Sequence, residues 1–445
     1  MNLFQNIKSH LSTLFAGTAA CSLLFSTTPV SADASQDATL AQSTDALDAA
    51  ATPLRARTDT TRIVTPTEHA NRGDTGNTRP IGRHGMDDDT TATPAKPQRP
   101  VSRVMHRMET TSTDSGATLL FSDSPEYATE DGILYQDTVR GAARVLYYHV
   151  NRMKAPKKVA VVLENVGSGT SLVTITRGGA SQPSPNYLDV GKGTQSLYFD
   201  AQGTQRFFLK AGERRVLVTD MDKTILRPED LVYGCYDFLS SQPVRTSVVI
   251  CPVTANPADF VRRARVLPAD ELRLRGTFAN ADRTIRPTTT YDPAAGKIQY
   301  FLLADNETDV YRTGVDATDG SAVLNYGNYG ILYHVQVPLA SMEKTQCYLS
   351  PFGGTYAGAL RVKTAVGLSR LIYTPYGMTF FGAGSDHMTE TASITKARES
   401  GLAMLTDSME LADIGQYNAR TAPTFEFSPP GASNLPVAII LMPAE

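Results

Sequence analysis

The run Val216-Leu-Val-Thr-Asp220-Met-Asp222-Lys-Thr224-Ile ends an apolar stretch with two carboxylates one residue apart. Such a pair is equipped for nucleophilic attack, for proton transfer and for holding a divalent cation. A second acidic group, Asp305-Asn-Glu-Thr-Asp309, follows Leu302-Leu303-Ala304, and Thr254 follows the apolar Val248 to Cys251. To act together, Asp220 and Asp222 need to sit beside one cation within reach of Asp305 or Asp309, an arrangement that open parallel sheets offer at the carboxyl ends of their strands. Parallel strands require crossovers of a dozen or more residues, usually helical. Between Thr224 and Ser247 the chain offers Arg227-Pro228-Glu-Asp-Leu-Val-Tyr233-Gly-Cys-Tyr236-Asp-Phe238, with no room for a packed helix. Upstream, Phe207-Phe-Leu-Lys-Ala211-Gly212-Glu-Arg-Arg-Val reads as strand, turn, strand. The expectation is therefore an exposed turn of an antiparallel sheet carrying Asp220 and Asp222, with Lys223 and Arg227 as solvated neighbours.

The other chemistry-bearing residues are sparser. His149 and His334 sit in apolar runs as Tyr148-His149 and Tyr333-His334, where satisfied core or edge histidines are commoner than ligands. Asp386-His387 follows Gly382-Ala-Gly384-Ser385 without the nucleophile elbow of a Ser-His-Asp hydrolase. Asn325-Tyr326-Gly327-Asn328-Tyr329-Gly330 is the most unusual local sequence. Asn325, Tyr326, Asn328 and Tyr329 form a candidate ligand surface for sugar or peptide, against the plainer reading of a Gly bulge before the strand Ile331 to Val337. Cys235 and Cys251 flank an expected turn at Gln242-Pro243 and are a candidate disulfide, against two buried free thiols. No catalytic residue, metal ligand or cofactor is assigned.

Residues 1–32 carry Lys8, an apolar stretch from Leu14 to Phe25, and Val30-Ser31-Ala32 before Asp33, the order of a signal peptide cleaved after Ala32. Cys21 raises a lipoprotein alternative, but the apolar region runs on past it through Leu23-Leu24-Phe25. The chain is thus expected outside the cytoplasm, secreted, periplasmic or on the surface, and no segment is long enough to span a bilayer. From Ser26 to Leu120 there is no aromatic residue, and Thr, Asp, Ala, Pro, Arg and Ser dominate. Residues 33–117 read as a disordered linker, because such a stretch cannot bury enough apolar surface to offset its ordering entropy. Met86-Asp87-Asp88-Asp89 with His69, His84 and His106 reads there as solvated linker rather than a metal site. A net charge of -3 without a clustered basic face argues against nucleic acid. Trp is absent while Tyr numbers 19 and Phe 16, so any ring stacking falls to tyrosine.

From residue 118 the texture changes to short apolar runs between Gly, Pro, Asn and Asp. Strands are expected near Arg144–Val150, Lys158–Leu163, Ser171–Thr176, Ser196–Phe199, Arg215–Val218, Ser247–Val253, Tyr300–Leu303, Gly330–Val337, Arg370–Tyr373 and Val437–Leu441. Asn256 and Pro257 open a short helix ended by Pro268, and Asp407 to Asp413 is a weaker helical stretch. Gly141 to Tyr147 echoes Gly327 to Tyr333 at an offset that also superposes Lys158 on Lys344 and Tyr187 on Tyr373, which suggests duplication. The expected fold is mainly β, with tandem antiparallel β-sandwich-like domains at 118–255 and 272–445 joined by a connector at 256–271.

Two resemblances add to this reading. Asp220-Met-Asp222-Lys-Thr224 resembles the D-x-D-x-T motif of haloacid-dehalogenase-like phosphatases. That resemblance implies Asp220 as nucleophile, Asp222 as general acid and base, and Mg2+ as cofactor; the phosphate-binding Lys is wanting, since Lys297 lies only eight residues before Asp305. Tyr127 to Leu163, Gly314 to Gly320 with Asn325 to Gly330, and Phe427 to Pro436 resemble the C-terminal region of exported bacterial proteins labelled copper amine oxidase N-terminal-domain-containing. The module behind that name is absent, and the likeness implies an envelope or surface protein, not an oxidase. Asn325-Tyr326 is followed by Gly327 where the quinone precursor needs Asp or Glu, and no His-x-His occurs. The function expected is that of an exported, non-catalytic envelope or surface protein, a binding or structural module whose partner is an envelope polymer or protein. The alternative is a secreted Mg2+-dependent phosphatase using Asp220 and Asp222.

Overall fold

Two long strands organise the fold, Gly132–Asn151 and Leu231–Pro252, paired antiparallel over nearly their whole length. Outside their polar middles, where Thr138, Arg140, Ser241 and Arg245 are exposed, their sequences are largely apolar runs because those parts are buried on both faces. With a period of two, Leu146, Tyr148 and Val150 enter one core, while Val145 and Tyr147 enter the other. Leu231, Tyr233 and Cys235 share the first core, and Val232, Tyr236 and Phe238 the second.

The computed structural model describes residues 103–375, 380–381, 402–405 and 411–444. The central sheet runs in the order Ala322–Leu324, Thr313–Val315, Arg275–Phe278, Thr118–Ser122, Gly132–Asn151, Leu231–Pro252, Lys157–Asn165 and Arg214–Val216. Tyr127–Ala128, Ser171–Ala180 and Gln205–Leu209 attach off that path. A six-stranded sheet has the order Leu402–Leu405, Arg103–Arg107, Ile298–Leu303, Val437–Pro443, Thr345–Pro351 and Ala412–Tyr417. Another has Ser369–Thr374, Gly358–Thr364, Pro423–Phe427, Leu332–Gln336, Asp282–Pro287 and Thr110–Ser115. The mainly β architecture agrees with the sequence. The sheets are mixed, however: Thr118–Ser122 pairs parallel with Gly132–Asn151, Asp282–Pro287 with Leu332–Gln336, and Arg103–Arg107 with Ile298–Leu303.

Several expectations are corrected. Strands Arg103–Arg107 and Thr110–Ser115 lie inside the stretch 33–117 assigned to linker. Their polar, alternating sequences give no apolar run to see, since they are bound by backbone pairing at sheet positions. The boundary at 256–271 does not separate independent domains, because Arg275–Phe278 joins the central sheet beside Thr118–Ser122 and one core takes residues from Met108 to Leu441. All the described residues belong to one compact unit. The supposed connector is itself pinned: Asn256 caps the single-turn helix Pro257–Phe260, and the Leu267 N–H donates to the Ile133 carbonyl. Ser196–Phe199 is not a strand but the end of the helix Tyr187–Asp200, and Ala412 and Asp413 of the weaker helix lie in a strand. The suggested echo does not extend to Tyr187, which opens that helix while its counterpart Tyr373 sits in Ser369–Thr374.

Gln242-Pro243 is no turn. The strand Leu231–Pro252 continues through it, with its register against Gly132–Asn151 broken between Ser240 and Val244. Pro243 is tolerated where the ladder is already interrupted, and Gly141, opposite Ser240, supplies the positive φ that such a bulge needs. Cys235 and Cys251 therefore stand far apart on one strand, beyond the reach of a disulfide, and both are buried free thiols pushed up to about 12 by burial.

Arg144 is a densely bonded polar residue of the interior, with 2% of its side chain exposed. Its Nε and Nη2 donate to the two Asp237 oxygens at 2.7 and 3.0 Å, Nη2 also to Asp282 at 3.0 Å, and Nη1 to the carbonyls of Ala281 and Gly330, both at 3.0 Å. All five guanidinium hydrogens are thereby used. Replacing Arg144 with Leu should destabilise the fold by about 3–5 kcal/mol in urea unfolding, because two carboxylates and two carbonyls lose their donor in the interior. A loss below about 1 kcal/mol would show that the network is dispensable.

Candidate functional site

The residues singled out for phosphoryl chemistry are not gathered. Asp220 and Asp222 lie on an exposed 3-10 turn, Thr219–Asp222, after the edge strand Arg214–Val216. The Thr224 hydroxyl donates to the Asp220 carbonyl at 2.8 Å, and Asp222 is paired with Lys158. Lys223 and Arg227 are exposed beside them. Asp305 spends one oxygen on the N–H groups of Glu307, Thr308 and Asp309, at 3.1, 3.1 and 2.8 Å, and the other on Arg107. Asp309 pairs with the buried Arg283, which also holds both Asp114 oxygens. The acidic motif is thus a self-capped loop anchored by two arginines. Among the described residues no group of three or more His, Cys, Asp or Glu side chains is placed to hold a metal ion.

The Asn325–Tyr329 surface is also corrected, since its amides face inward. Asn325 closes the turn through the Tyr329 carbonyl and N–H, at 2.8 and 3.0 Å. Asn328 accepts from the Arg312 N–H at 2.8 Å and donates to the Tyr333 hydroxyl at 2.8 Å. Tyr329 donates to the Ser433 carbonyl at 2.8 Å. Tyr326 alone of the four is exposed, edge-on to Tyr311 at 6.2 Å. His149 is buried and His334 half-buried near Glu426, while Asp386, His387 and residues 1–102, with the Ala32 junction, lie outside the described residues.

A different constellation, which no sequence motif announces, forms where Thr118–Ser122 runs out. Ser122-Asp123-Ser124-Pro125-Glu126-Tyr127 loops over the strand Gly132–Asn151 and is clamped by two devices. Asp270 accepts from the Ser124 hydroxyl at 2.9 Å and the Glu126 N–H at 3.0 Å. His149 bridges Ser122 Oγ at 2.8 Å and the Pro125 carbonyl at 2.9 Å. Burial lowers His149 to about 4, so the neutral ring donates through Nδ1 and accepts the Ser122 hydroxyl at Nε2. Although this is a nucleophile–base distance, both side chains are fully buried and Nδ1 meets a carbonyl, so the couple is a clasp.

The clamped loop turns Asp123 and Glu126 toward a group of tyrosines. Tyr148 and Tyr233, directly opposed across the long strands, meet edge-on at 5.8 Å, and Tyr329 stacks on Phe121 at 6.5 Å. Tyr127 and Tyr187 are half-buried at the rim, where the Arg152 guanidinium lies 4.8 Å over the Tyr127 ring. The Pro430-Gly431-Ala432 loop closes the other side. Gly431 lies so near that a Cβ there would touch the Tyr148 and Tyr233 rings at 3.1 Å, and its carbonyl meets Gly191 of the helix where any side chain would collide. Glu126 is 6% exposed, whereas Asp123, although walled in, keeps part of its surface open. Burial, then the carboxyls of Glu126 and Asp270, pushes Asp123 well above the ordinary carboxyl range. Burial and Glu126 raise Tyr127, Tyr148 and Tyr187 in the same sense. The outcome is a packed acid–tyrosine cluster with its phenols protonated and its rim half-buried. Its only sequence signal is a polar turn directly after an apolar strand, beside the Tyr147-Tyr148 pair.

No protein-family description matches the chain, and no curated relative does. Among solved structures it is similar to a Paenibacillus xanthan lyase, at 11% identity over 80% of this chain and 28% of the lyase, with a TM-score of 0.13. It is also similar to the Lactobacillus farciminis oxalate decarboxylase formate complex, at 11% over 75% and 88% of the two chains and a TM-score of 0.12. A vicilin from Capsicum annuum gives 11%, 73% and 86%, and 0.10. At these TM-scores the likenesses carry no argument about fold or activity.

Two outcomes follow. Asp220→Asn should change unfolding free energy by no more than about 0.5 kcal/mol, as exposed substitutions usually do; a larger loss would show that Asp220 is part of a network. Asp123→Asn should stabilise. A carboxyl raised by folding favours the native state in its protonated form, so its contribution is present at acid pH and lost as pH rises through the raised value. The variant should melt roughly 2 °C above the parent at pH 8, and the gap should close toward pH 4. His149 acts with the opposite sign, losing its contribution as pH falls from the ordinary imidazole range to about 4, but it is common to both proteins and cancels.

Proposed function

We propose that this chain is an exported, non-catalytic envelope or surface protein that binds its partner, an envelope polymer or protein, through the acid–tyrosine cluster. The observation that carries the reading is the cluster itself. Rings, protonated phenols and carboxyls converge there from five separate segments, with Tyr127, Tyr187 and part of Asp123 open at its rim, and tyrosines that are apolar in body and polar at the tip are the kind of residue binding surfaces use. The order of residues 1–32 supports export, and the three buried, high-pKa thiols suit a fold that owes nothing to disulfides in an oxidising compartment. The commitment of Asp222, Asp305 and Asp309 to cations of the chain weighs against the Mg2+-dependent phosphatase.

Expressed with its full leader in its own cell, the protein should be recovered outside the cytoplasm with Asp33 as its first residue, read by mass spectrometry. The purified product should cosediment with envelope material. Cytoplasmic recovery with Met1 intact would overturn export, and phosphatase activity abolished by Asp220→Asn would overturn the non-catalytic reading.

A further inference from the structure

The strand Gln205–Leu209 is an open edge. It pairs antiparallel with Ser171–Ala180 on one side, and no described residue bonds its backbone on the other. Its buried face carries Phe207 and Leu209, whereas Arg206 and Phe208 point outward. Phe208 is 70% exposed and stands directly opposite Leu172, itself 37% exposed. Two positions on from Leu172, Thr174 stands opposite Leu239, 45% exposed, so exposed apolar side chains reach across three strands. Singly exposed apolar residues are ordinary, but contiguous ones beside an unpaired edge mark a surface that pairs with another chain. Arg206 and Lys210 lie before and after Phe208, both exposed, and neither makes an ion pair or a side-chain hydrogen bond among the described residues.

We infer that this edge takes an extended, acidic segment of a partner protein as an added strand, with an apolar side chain on Phe208 and Leu172 and a carboxylate two positions to either side, against Arg206 and Lys210. The open backbone supplies the ladder bonds, and alternate side chains supply the selection. Charge decides between occupants. A second copy pairing edge to edge about Phe208 would set Arg206 directly against the other copy's Lys210, and like charges so opposed are destabilising. Shifting the register still gathers the same four cations along one seam. An edge that is merely guarded carries charge in place of apolar surface, whereas the residue between these two cations is among the most exposed large apolar side chains of the described residues. None of these residues belongs to the acid–tyrosine cluster, so the inference goes beyond the binding reading above and does not rest on it.

The test is fluorescence anisotropy of labelled peptides Thr-Glu-Thr-X-Thr-Glu-Thr, with X as Val, Leu, Ile or Phe, titrated with the whole purified protein at pH 7. Saturable binding is expected for at least one of them with Kd below about 1 mM, and the same sequence with Lys for both Glu should bind at least about tenfold more weakly. N-methylation of every second backbone nitrogen should abolish binding in one phase and spare it in the other, because an added strand turns only alternate N–H groups toward the edge. Phe208→Lys and Arg206→Glu should each weaken binding about tenfold or more, and Asp220→Asn should leave it unchanged. Melting curves verify that each variant is folded, and either edge variant alone suffices. No saturable binding by any acidic peptide, equal binding of the Lys peptides, or an equal effect of the two N-methylation phases would overturn the inference; indifference to both phases would mean attraction by charge alone, which an anionic polysaccharide would also show. Dimerisation in sedimentation that Phe208→Lys abolishes would assign the edge to a second copy and overturn it likewise.

Discussion

The guanidinium of Arg144 is the constraint on which the two halves of this chain depend. It reaches from the strand Gly132–Asn151 to Asp237 on the paired strand, then across to Ala281, Asp282 and Gly330 in the second half of the sequence. A buried arginine is stable only when every hydrogen is directed, and that requirement fixes several backbone segments relative to one another. Arg275 repeats the device in reverse. From the second half it donates to Asp316 at 2.7 Å and to the carbonyls of Leu134 and Leu267, at 3.1 and 2.7 Å. Arg283 does so a third time with Asp114, Asp309 and the Val310 carbonyl. Three ionic staples thus tie into one body what the sequence punctuates as two.

The acid–tyrosine cluster is a by-product of that closure. Tyr148 and Tyr233 point toward the first core because of strand periodicity, and they would be ordinary core residues if the sheets met above them. Instead the helix Tyr187–Asp200 and the Pro430-Gly431-Ala432 loop meet over them, at glycines on both sides. The clasp of Ser122, His149 and Asp270 brings carboxyls to the same place.

Much of the fold was legible because the information was local. Strands such as Val145 to Val150 and Val159 to Leu163 are buried on both sides and must read as apolar runs whatever their neighbours. The helix Tyr187–Asp200 was missed because Gly191 and Gly193 break its apolar stripe, and Ser196-Leu-Tyr-Phe imitates a strand. Gly191 is there for the approach of Gly431, a residue hundreds of positions away. Gln242-Pro243 looked like a turn because proline usually ends a strand, and only the partner Gly141 shows that it marks a bulge. The single body and the acid–tyrosine cluster left no local trace, for both are made by partners remote in sequence. Asp305 and Asp309 mimicked a metal motif for the same reason, since the arginines that consume them lie elsewhere.

The position of Val437–Pro443 bears on how the chain reaches this state. The last strand of the sequence is an interior strand of its sheet, hydrogen-bonded to Ile298–Leu303 on one side and Thr345–Pro351 on the other. A chain emerging N-terminus first cannot close that sheet, nor the core that takes Val437, Ile439 and Leu441, until this strand arrives. Non-local pairing of this kind is slow, so this sheet closes after the central one, whose strands all lie between Thr118 and Leu324. Until Val437–Pro443 arrives, Ile298–Leu303 and Thr345–Pro351 each keep an unpaired edge, the kind of surface on which wrong strand pairing begins.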